Sequence, residues 1–383
     1  MPDTLIPYGK HCLDERDRRS VLSVLKSDRI TQGPAIDRFE KEFAAFCGAR
    51  YAVALSSGTA ALHLSSLALG LGEGDEAITS PISFVATSNS ILYARARPTF
   101  ADIEGDTVNL SPAAVEKKIN RSTKAIYPTH FAGLACRMPE LEALAARRSL
   151  KIVEDGCHAL GAKYLYKNNW VKVGSCRHSR MTVFSFHPVK HITTGEGGVI
   201  TTNSRVLYRQ LCALRTHGIY RSRASQRRHG PWHYEMRELG FNYRMTDIQA
   251  ALGISQLARA EEFIEKRRRI ADVYKEGLKN VEGLSLPAEP EGYYHTYHLF
   301  VIRVRGAKKE HRRRLMDYLQ KNGIGSQVHY IPIYRQPYYR RLGYRDRCLE
   351  AERYFSEAVS LPIYPALSGA QQKKVIETLK RFV

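Results

Sequence analysis

The sequence predicts an α/β protein with a mainly parallel central sheet flanked by helices, and a smaller α+β domain towards the carboxyl end. Through the first two-thirds of the chain, short apolar runs alternate with helical patterns of about 10–15 residues, which is typical of βαβ units. After Ala250 the pattern changes to a long charged helix followed by mixed elements. We therefore expect a large α/β domain over residues 1–250, including an N-terminal arm, and a small domain over residues 251–383.

The large domain is expected to contain seven short strands separated by helices. The predicted strands are Tyr51–Leu55, Ala77–Thr79, the extended Pro98–Ile103, Lys124–Pro128, Lys151–Glu154, Met181–Phe186 and Gly198–Thr202. Helical patterns run from Thr59 to Leu69, over Phe84–Tyr93 and over Met138–Arg147. The last two strands lie close together in the chain and are expected to be a late excursion of the same sheet.

The remaining elements belong to the predicted small domain, whose boundary falls inside its first helix. They are a helix over Ile254–Leu278, a loop at Pro287–Gly292, a strand at His298–Val304, a helix over Lys309–Lys321, a strand at Gln327–Tyr330 and a helix over Ala370–Arg381.

Composition narrows the class of protein. The 383 residues carry a formal net charge of +21, with 43% hydrophobic and 25% charged residues, so general disorder is excluded. The positive charge attracts anions, yet no aromatic-interleaved basic stripe or zinc-finger spacing accompanies it, so nucleic-acid binding is disfavoured. No apolar run approaches a membrane span, and no secretory signal is expected. Seven scattered cysteines without a CxxC pair argue against a disulfide framework or a zinc site and favour the reducing cytoplasm.

Three features fall where an open parallel sheet binds ligands, at the carboxyl ends of strands. Ser57–Ala60 lies between a strand and a helix and is able to hold a phosphate, although an ordinary helix cap explains it equally well. Asp155 ends an apolar strand, and a buried carboxylate there needs a cationic or hydrogen-bonding partner. A helix cap is an equally good interpretation of Asp155. Lys190 follows strand residue Ser185 on a loop closed by glycines. A lysine beside aromatic side chains and a phosphate site can act as an amine nucleophile, although most single lysines are merely solvated.

Several longer motifs occur in a fixed order along nearly the whole chain. They are LKSDRITQGP (Leu25–Pro34), SSGTAAL (Ser56–Leu62), HFAG (His130–Gly133), DGCHALG (Asp155–Gly161), the lysine segment Phe184–Gly198, RTHGI (Arg215–Ile219), GFNYRMTDIQAALG (Gly240–Gly253) and QVHYIPIY (Gln327–Tyr334). With these motifs the sequence resembles the DegT/DnrJ/EryC1/StrS sugar aminotransferases, which use pyridoxal 5′-phosphate (PLP) and have the PLP-dependent transferase fold of type I. Within that family it is most similar to the branch that acts in pseudaminic acid biosynthesis.

The resemblance implies a set of cofactor-binding residues. Lys190 would attach covalently to PLP and shuttle the proton, and Asp155 would pair with the pyridine nitrogen and keep it protonated. The other members of the implied set are Thr59, Ala60 and Ser185 for the phosphate, Phe84 stacked on the cofactor ring, His158 at the ring oxygen and Asn242 reaching the phosphate from the neighbouring subunit. Many relatives carry Gln in place of His158, and the pseudaminic branch shares the His. His158 is also open to reading as a hydrogen-bonded core residue, and Asn242 as a turn residue.

The resemblance also implies the substrates. Thr31, Gly33, His217 and His329 match family positions around a sugar nucleotide, although His329 is open to reading as a core residue. The expected reaction is amination of a UDP-linked 4-keto-6-deoxy-N-acetyl hexosamine by L-glutamate, with 2-oxoglutarate released, in a homodimer with shared active sites. No metal, membrane or nucleic acid is expected to take part.

Three other readings stay open on the sequence. The nearest alternative is an aminotransferase for another nucleotide keto sugar, aminated at C3 or C4. A PLP sugar dehydratase is disfavoured because relatives of that kind replace the lysine at position 190 by histidine. A non-catalytic protein on the same scaffold is disfavoured by the intact Lys190, Asp155 and Ser185.

Overall fold

The architecture is known from a computed structural model that describes residues 5–306 and 309–382. Residues 1–4, 307–308 and 383, which fall within the predicted domains, lie outside the described residues. The helices are α1 Glu15–Leu25, α2 Pro34–Cys47, α3 Gly58–Ala68, α4 Ala86–Tyr93, α5 Pro112–Lys118, α6 Met138–Arg147, α7 Arg205–Leu214, α8 Arg223–His229, α9 Asp247–Leu257, α10 Ala260–Leu278, α11 Lys309–Lys321, α12 Pro337–Arg341, α13 Leu349–Glu357 and α14 Gly369–Phe382.

The strands form one large sheet and three small ones. They are β1 Tyr51–Leu55, β2 Glu76–Thr79, β3 Arg97–Phe100, β4 Thr123–Tyr127, β5 Lys151–Asp155, β6 Lys163–Tyr166, β7 Asn169–Lys172, β8 Met181–Ser185, β9 Gly198–Thr202, β10 Ile219–Tyr220, β11 Glu235–Met236, β12 Leu284–Ser285, β13 Tyr293–Tyr294, β14 Phe300–Val304 and β15 Ala358–Leu361. The large sheet has the order β1-β9-β8-β5-β4-β2-β3.

The predicted mixed fold with a mainly parallel sheet is confirmed. The neighbours β8, β5, β4, β2 and β3 pair in parallel, and β9 pairs antiparallel with both β8 and β1. The prediction that the last two strands join the same sheet is therefore confirmed. Both faces of the sheet are covered, since one apolar cluster contains Phe43 and Leu141 and the other contains Leu64 and Leu211. Burial on both faces explains why these strands read as continuous apolar runs.

The long helix predicted over Ile254–Leu278 is wrong, because the chain forms two helices there. The first, α9, begins at Asp247 behind the capping residue Thr246, and it ends before the break at Arg259. Arg259 has φ of −114° and its guanidinium pairs with Asp14, at 2.7 Å, and with Asp17. Helical periodicity continues across the break, so the sequence pattern alone does not reveal this distant ion pair.

The strand predicted over Gln327–Tyr330 is also wrong. Gln327 forms a single bridge with Ser360, after which the backbone leaves the ladder. Side chains take the place of the strand's backbone partners at His329. Its carbonyl oxygen accepts a hydrogen bond of 2.7 Å from the Tyr354 hydroxyl, and its imidazole ring forms a hydrogen bond with the Ser360 hydroxyl. This segment is a connector that points side chains into the cavity described below.

The N-terminal segment of the chain pairs with the C-terminal part. Ile6 donates its N–H to the carbonyl of Gly323 at 2.9 Å and accepts a bond from the N–H of Gly325 at 2.8 Å, and Ile363 donates to the carbonyl of Tyr8. Helix α10 joins two cores, since Phe263 packs beneath the large sheet and Tyr274 packs with the β14 strand. The boundary expected near residue 250 stays a prediction.

None of the helices within residues 5–306 and 309–382 has the length and apolar character needed to cross a membrane. All seven cysteines are free thiols.

The Arg259 ion pair gives a test of stability. Asp17 is 2% exposed, so Arg259→Met leaves a buried carboxylate without its cation, and we expect a loss of about 3 kcal/mol in the free energy of unfolding. Arg16, which pairs with Asp14 at the surface, provides the matched control: Arg16→Met should change stability little. Urea unfolding followed by circular dichroism measures both. Equal effects of the two changes would contradict a special role for the buried pair.

Candidate active site

A cavity of about 650 Å³ opens at one edge of the large sheet. Its walls come from residues that end or follow β1, β2, β5 and β8, together with the connector at 327–331. Because parallel strands present their carboxyl ends at the same edge, residues far apart in sequence converge there. Lys190 is the sole Lys or Arg among the described residues that line the cavity.

The N-terminus of α3 lies close against Ser185 and is a candidate site for an anion. Gly58 begins the helix, and a Cβ placed on it would lie 2.8 Å from the Cβ of Ser185, so only glycine lets strand and helix approach this closely. Within the described part of the chain, the side chains of Thr59 and Ser185 have no hydrogen-bond partner, although both line the cavity. Free N–H groups at a helix N-terminus and two hydroxyls suit a phosphate.

The amide of Ala60 is already used. It donates a hydrogen bond of 3.0 Å to the side chain of Ser57, which is the N-cap of α3. The helix-cap interpretation of this motif is therefore correct for Ser57. The cap is compatible with the predicted phosphate site, because it uses the third amide of the helix and leaves those of Gly58 and Thr59 for a ligand.

Asp155 ends β5 and is 4% exposed. One carboxylate oxygen accepts a hydrogen bond of 2.6 Å from the Thr87 hydroxyl, and the other accepts one of 3.1 Å from the amide of Cys157. Two donors hold the carboxylate in one orientation at the floor of the cavity, where it can receive a proton donor from a ligand.

Lys190 is half-buried on the loop after β8, where its own amide donates to the carbonyl of His187 at 2.9 Å. Burial lowers the pKa of the Lys190 amine, and the nearby Cys157 and Asp155 act in the opposite direction. A lowered pKa increases the fraction of neutral amine at neutral pH, which is the form that attacks a carbonyl carbon.

Aromatic side chains form the opposite wall. Phe84 is 58% exposed and its ring lies 6.3 Å from that of Tyr330. The Tyr330 hydroxyl lies 3.1 Å from Nε2 of His158, and Nδ1 of His158 is buried without a partner among the described residues. Burial holds the pKa of His158 well below its usual range, so its ring is neutral at pH 7.

His329 lines the same cavity. Its Nδ1 lies 2.8 Å from the Ser360 hydroxyl, and burial lowers its pKa to about 3. Both the core interpretation and the binding interpretation therefore find support, because the ring is packed on one side and borders the cavity on the other.

Besides Ala60, four sequence-predicted residues do not line the cavity: Thr31, Gly33, His217 and Asn242. These four belong to the segment Phe241–Asp247 or pair with it. Thr31 bridges Thr246, Gly33 donates to Asp247 at 2.7 Å, Asn242 bridges Thr216, and the amide of His217 donates to Phe241. The structure thus gathers them around this segment at a second surface of the chain, where Gly33 is buried and the other three are exposed.

Sequence reasoning missed several cavity residues, among them Thr87, Tyr8 and Tyr330. Thr87 lies within the predicted helix Phe84–Tyr93, but that helix begins at Ala86, which leaves Phe84 at the cavity and turns Thr87 towards Asp155. Tyr8 and Tyr330 reach the cavity through loops. No sequence signal marked Thr87, because its role depends on a hydrogen bond to Asp155, which lies 68 residues away in the chain.

Comparison with known proteins identifies the family. The profile of the DegT/DnrJ/EryC1/StrS aminotransferase family matches residues 11–380. The spore coat polysaccharide biosynthesis protein SpsC of Bacillus subtilis is 37% identical over 385 residues, which are 99% of this chain and 97% of that protein. The chain belongs to this family, is a PLP-dependent sugar aminotransferase and has the type I transferase fold.

Two solved structures have the same fold. Helicobacter pylori PseC, an aminotransferase involved in the biosynthesis of pseudoaminic acid, superposes with a TM-score of 0.91 at 32% identity and covers 99% of both chains. The putative sugar aminotransferase Spr1654 of Streptococcus pneumoniae, in its PMP form, gives a TM-score of 0.92 at 30% identity over 98% of both chains.

The cavity fits PLP in two respects. The glycine-lined helix terminus beside Ser185 suits its phosphate, and the unpartnered Nδ1 of His158 offers a polar contact beside Lys190. The described residues contain no cluster of three or more His, Cys, Asp or Glu side chains arranged to hold a metal ion.

The close approach at Gly58 gives a test of the phosphate site. Gly58→Ala would push a methyl group against Ser185, and we expect PLP affinity to fall about ten-fold, since overpacking of this kind costs roughly 1–3 kcal/mol. Gly72→Ala is the matched control, because nothing lies within 4 Å of a Cβ there. Absorbance titration of the apoenzymes with PLP measures the affinity. Unchanged affinity in Gly58→Ala would exclude the helix terminus as the phosphate site.

Proposed function

We propose that this aminotransferase moves the amino group of L-glutamate to C4 of UDP-2-acetamido-2,6-dideoxy-β-L-arabino-hexos-4-ulose. The product is UDP-4-amino-4,6-dideoxy-N-acetyl-β-L-altrosamine, an intermediate of pseudaminic acid biosynthesis. The observation that carries the proposal is His158, which replaces the Gln of many relatives and borders the cavity beside Lys190. The similarity to Helicobacter pylori PseC over 99% of both chains supports the same branch.

The sequence-predicted residues that line the cavity have distinct parts in this reaction. When bound, PLP supplies the aldehyde that takes up the amino group and the electron sink that makes the transfer possible. We assign to the Lys190 amine the covalent attachment of PLP and the movement of the proton at the reacting carbon. We assign to Asp155 the pairing with the protonated ring nitrogen, because its carboxylate is buried and held by two donors.

The remaining residues fix the position of the cofactor. Thr59, Ser185 and the free amides at the start of α3 hold the phosphate, and Ala60 contributes indirectly, because its amide holds the Ser57 cap of the same turn. Phe84 covers one face of the ring, which would bury the exposed area of that side chain. His158 donates or accepts a hydrogen bond at the ring oxygen as a neutral imidazole.

We propose further that two chains share each active site. A nucleotide diphosphate needs cations, and within the described residues the cavity of one chain offers only Lys190. Thr31, Gly33, His217 and Asn242 lie on the separate surface organised by Phe241–Asp247, with the first, third and fourth exposed. Placing that surface at the partner's cavity would complete the site, with Asn242 at the phosphate and the others at the sugar nucleotide, where His329 already lies.

A cytoplasmic location fits the same proposal. All seven cysteines are free, as a reducing compartment favours.

A specific observation favours the alternative of another nucleotide keto sugar, aminated at C3 or C4. The Bacillus subtilis relative, at 37% identity, is described by a role in spore coat polysaccharide biosynthesis. The fold does not decide the substrate, so both sugars belong in the test.

The substrate test compares kcat/KM for the L-arabino epimer, the D-xylo epimer and a dTDP 3-keto sugar, each with glutamate and with the product identified by NMR. We expect a preference for the L-arabino epimer, because a pocket shaped for one ring configuration misplaces the ketone of the other. Lys190→Ala is the control and should show no steady turnover. Preference for the D-xylo epimer or the dTDP sugar would overturn the pathway assignment and leave the aminotransferase activity intact.

Mixed dimers test the shared site. Lys190→Ala and Asn242→Ala chains, each with a different affinity tag, are mixed and the heterodimers purified. We expect activity above that of either parent, because one of the two sites then contains an intact Lys190 and an intact Asn242. Verified heterodimers without a gain in activity would place Asn242 outside the partner's site.

A further inference from the structure

Three buried hydroxyl groups form a chain that ends on Asp155. Thr129 donates to Ser83 at 3.2 Å, the hydroxyls of Ser83 and Thr87 lie 2.9 Å apart, and Thr87 donates to the Asp155 carboxylate at 2.6 Å. The side chains are 3%, 2% and 1% exposed in that order. None of these three hydroxyls has a role in the reaction as described so far.

The hydrogen bonds that link these three hydroxyls can point in only one direction. An ionised carboxylate accepts hydrogen bonds and donates none, so the Thr87 proton points to Asp155. The Thr87 oxygen is then free to accept from Ser83, whose oxygen in turn accepts from Thr129. Each hydroxyl therefore donates towards the negative charge, an arrangement in which successive bonds polarise and strengthen one another.

The fold fixes this chain at the strand ends. Thr129 follows β4 and pairs with Asp155 at the end of β5 as a parallel bridge. Ser83 lies in the loop after β2 and Thr87 in the first turn of α4, and their hydroxyls lie 2.9 Å apart. Phe84, between them in sequence, lines the cavity as well. The cofactor-facing aromatic ring and the hydroxyls behind Asp155 are thus set by one short segment.

We propose that Thr87, supported by Ser83 and Thr129, is a positioning residue that keeps the Asp155 carboxylate aimed at the ring nitrogen of the cofactor. The inference rests on the proposed role of Asp155. Without the Thr87 donor, the carboxylate keeps the Cys157 amide but loses its shortest hydrogen bond. Its negative charge then becomes less stable in a buried site, and its pairing with a protonated nitrogen weakens.

The experiment uses the PLP-loaded enzyme and five variants, one of which, Ser83→Ala, removes the second hydroxyl of the chain. Thr87→Val removes the hydroxyl at nearly constant shape, and Thr87→Ser retains it. Ser90→Ala is the matched control: Ser90 is buried on the same helix, but its hydroxyl donates to the carbonyl of Thr87 at 2.7 Å and does not belong to the chain. Asp155→Asn reports the full loss of the carboxylate. The readouts are the midpoint of the pH titration of the bound cofactor's visible absorption, and the rate of the glutamate half-reaction in a single turnover.

We expect Thr87→Val to shift the spectroscopic midpoint in the direction of Asp155→Asn by about one pH unit, and to slow the half-reaction about ten-fold, as loss of a charge-assisted hydrogen bond implies. Thr87→Ser and Ser90→Ala should behave as the unchanged enzyme. Ser83→Ala should cause a smaller shift of the same sign, because it acts one bond further from the charge.

The outcomes separate the two hypotheses. No midpoint shift in Asp155→Asn would refute the assigned role of Asp155 itself. A shift in Asp155→Asn without one in Thr87→Val would refute the positioning role alone. Equal shifts in Thr87→Val and Ser90→Ala would also refute it, since the cause would then be altered helix packing. Thermal unfolding of each apoenzyme identifies any variant whose fold is lost, and in that event Ser83→Ala provides the decisive midpoint.

Discussion

The carboxylate of Asp247 joins the surface residues of this protein to its core. The side chain is 1% exposed and accepts hydrogen bonds from the amides of Gly33, at 2.7 Å, and Ala35, at 3.0 Å, so it satisfies free N–H groups at the start of α2. Asp247 is also the first residue of α9, where a negative charge is favoured by that helix's own N-terminus. One buried charge therefore stabilises the starts of two helices. The neighbouring residues 241–246 cross from Thr216 to Thr31, so the position of the second surface depends on this anchor.

The chemistry of the cavity follows from an unequal distribution of charge. The imidazoles of His158, His298 and His191 are buried in a row. The ring centroid of His298 lies 4.4 Å from that of His158 and 5.5 Å from that of His191. Burial lowers the pKa of all three well below the usual range, so they are neutral. The neutral imidazoles of His158 and His298 line the cavity together with Lys190 and Asp155. In such partly buried surroundings the Asp155 carboxylate and the Lys190 amine have a stronger influence on a bound group than they would in water.

Much of the fold and the centre of the site were predictable from sequence, because they depend on short-range patterns. Gly198–Thr202 and Tyr51–Leu55 are strands as predicted, since apolar runs bounded by turn residues report burial directly. Asp155 and Lys190 come together because the ends of parallel strands share one edge. The break at Arg259 and the loss of the Gln327–Tyr330 strand were not predictable, since each depends on partners more than 20 residues away, Asp17 in one case and Tyr354 in the other. Thr87 was missed for a related reason: its role is visible only once its oxygen is seen beside the Asp155 carboxylate.

The pairing of Ile6 with residues around Ile324 determines the order in which the protein can be completed during synthesis. The ribosome releases the first residues long before their hydrogen-bond partners exist, because more than 300 residues separate them. The large sheet, whose strands end at Thr202, contains every one of its strands much earlier and can assemble without them. The amino-terminal segment must therefore wait unpaired while most of the protein is made, and Tyr8 reaches the cavity only after the C-terminal part has formed. The part of the cavity wall that Tyr8 supplies is therefore among the last parts of the newly synthesised chain to fold.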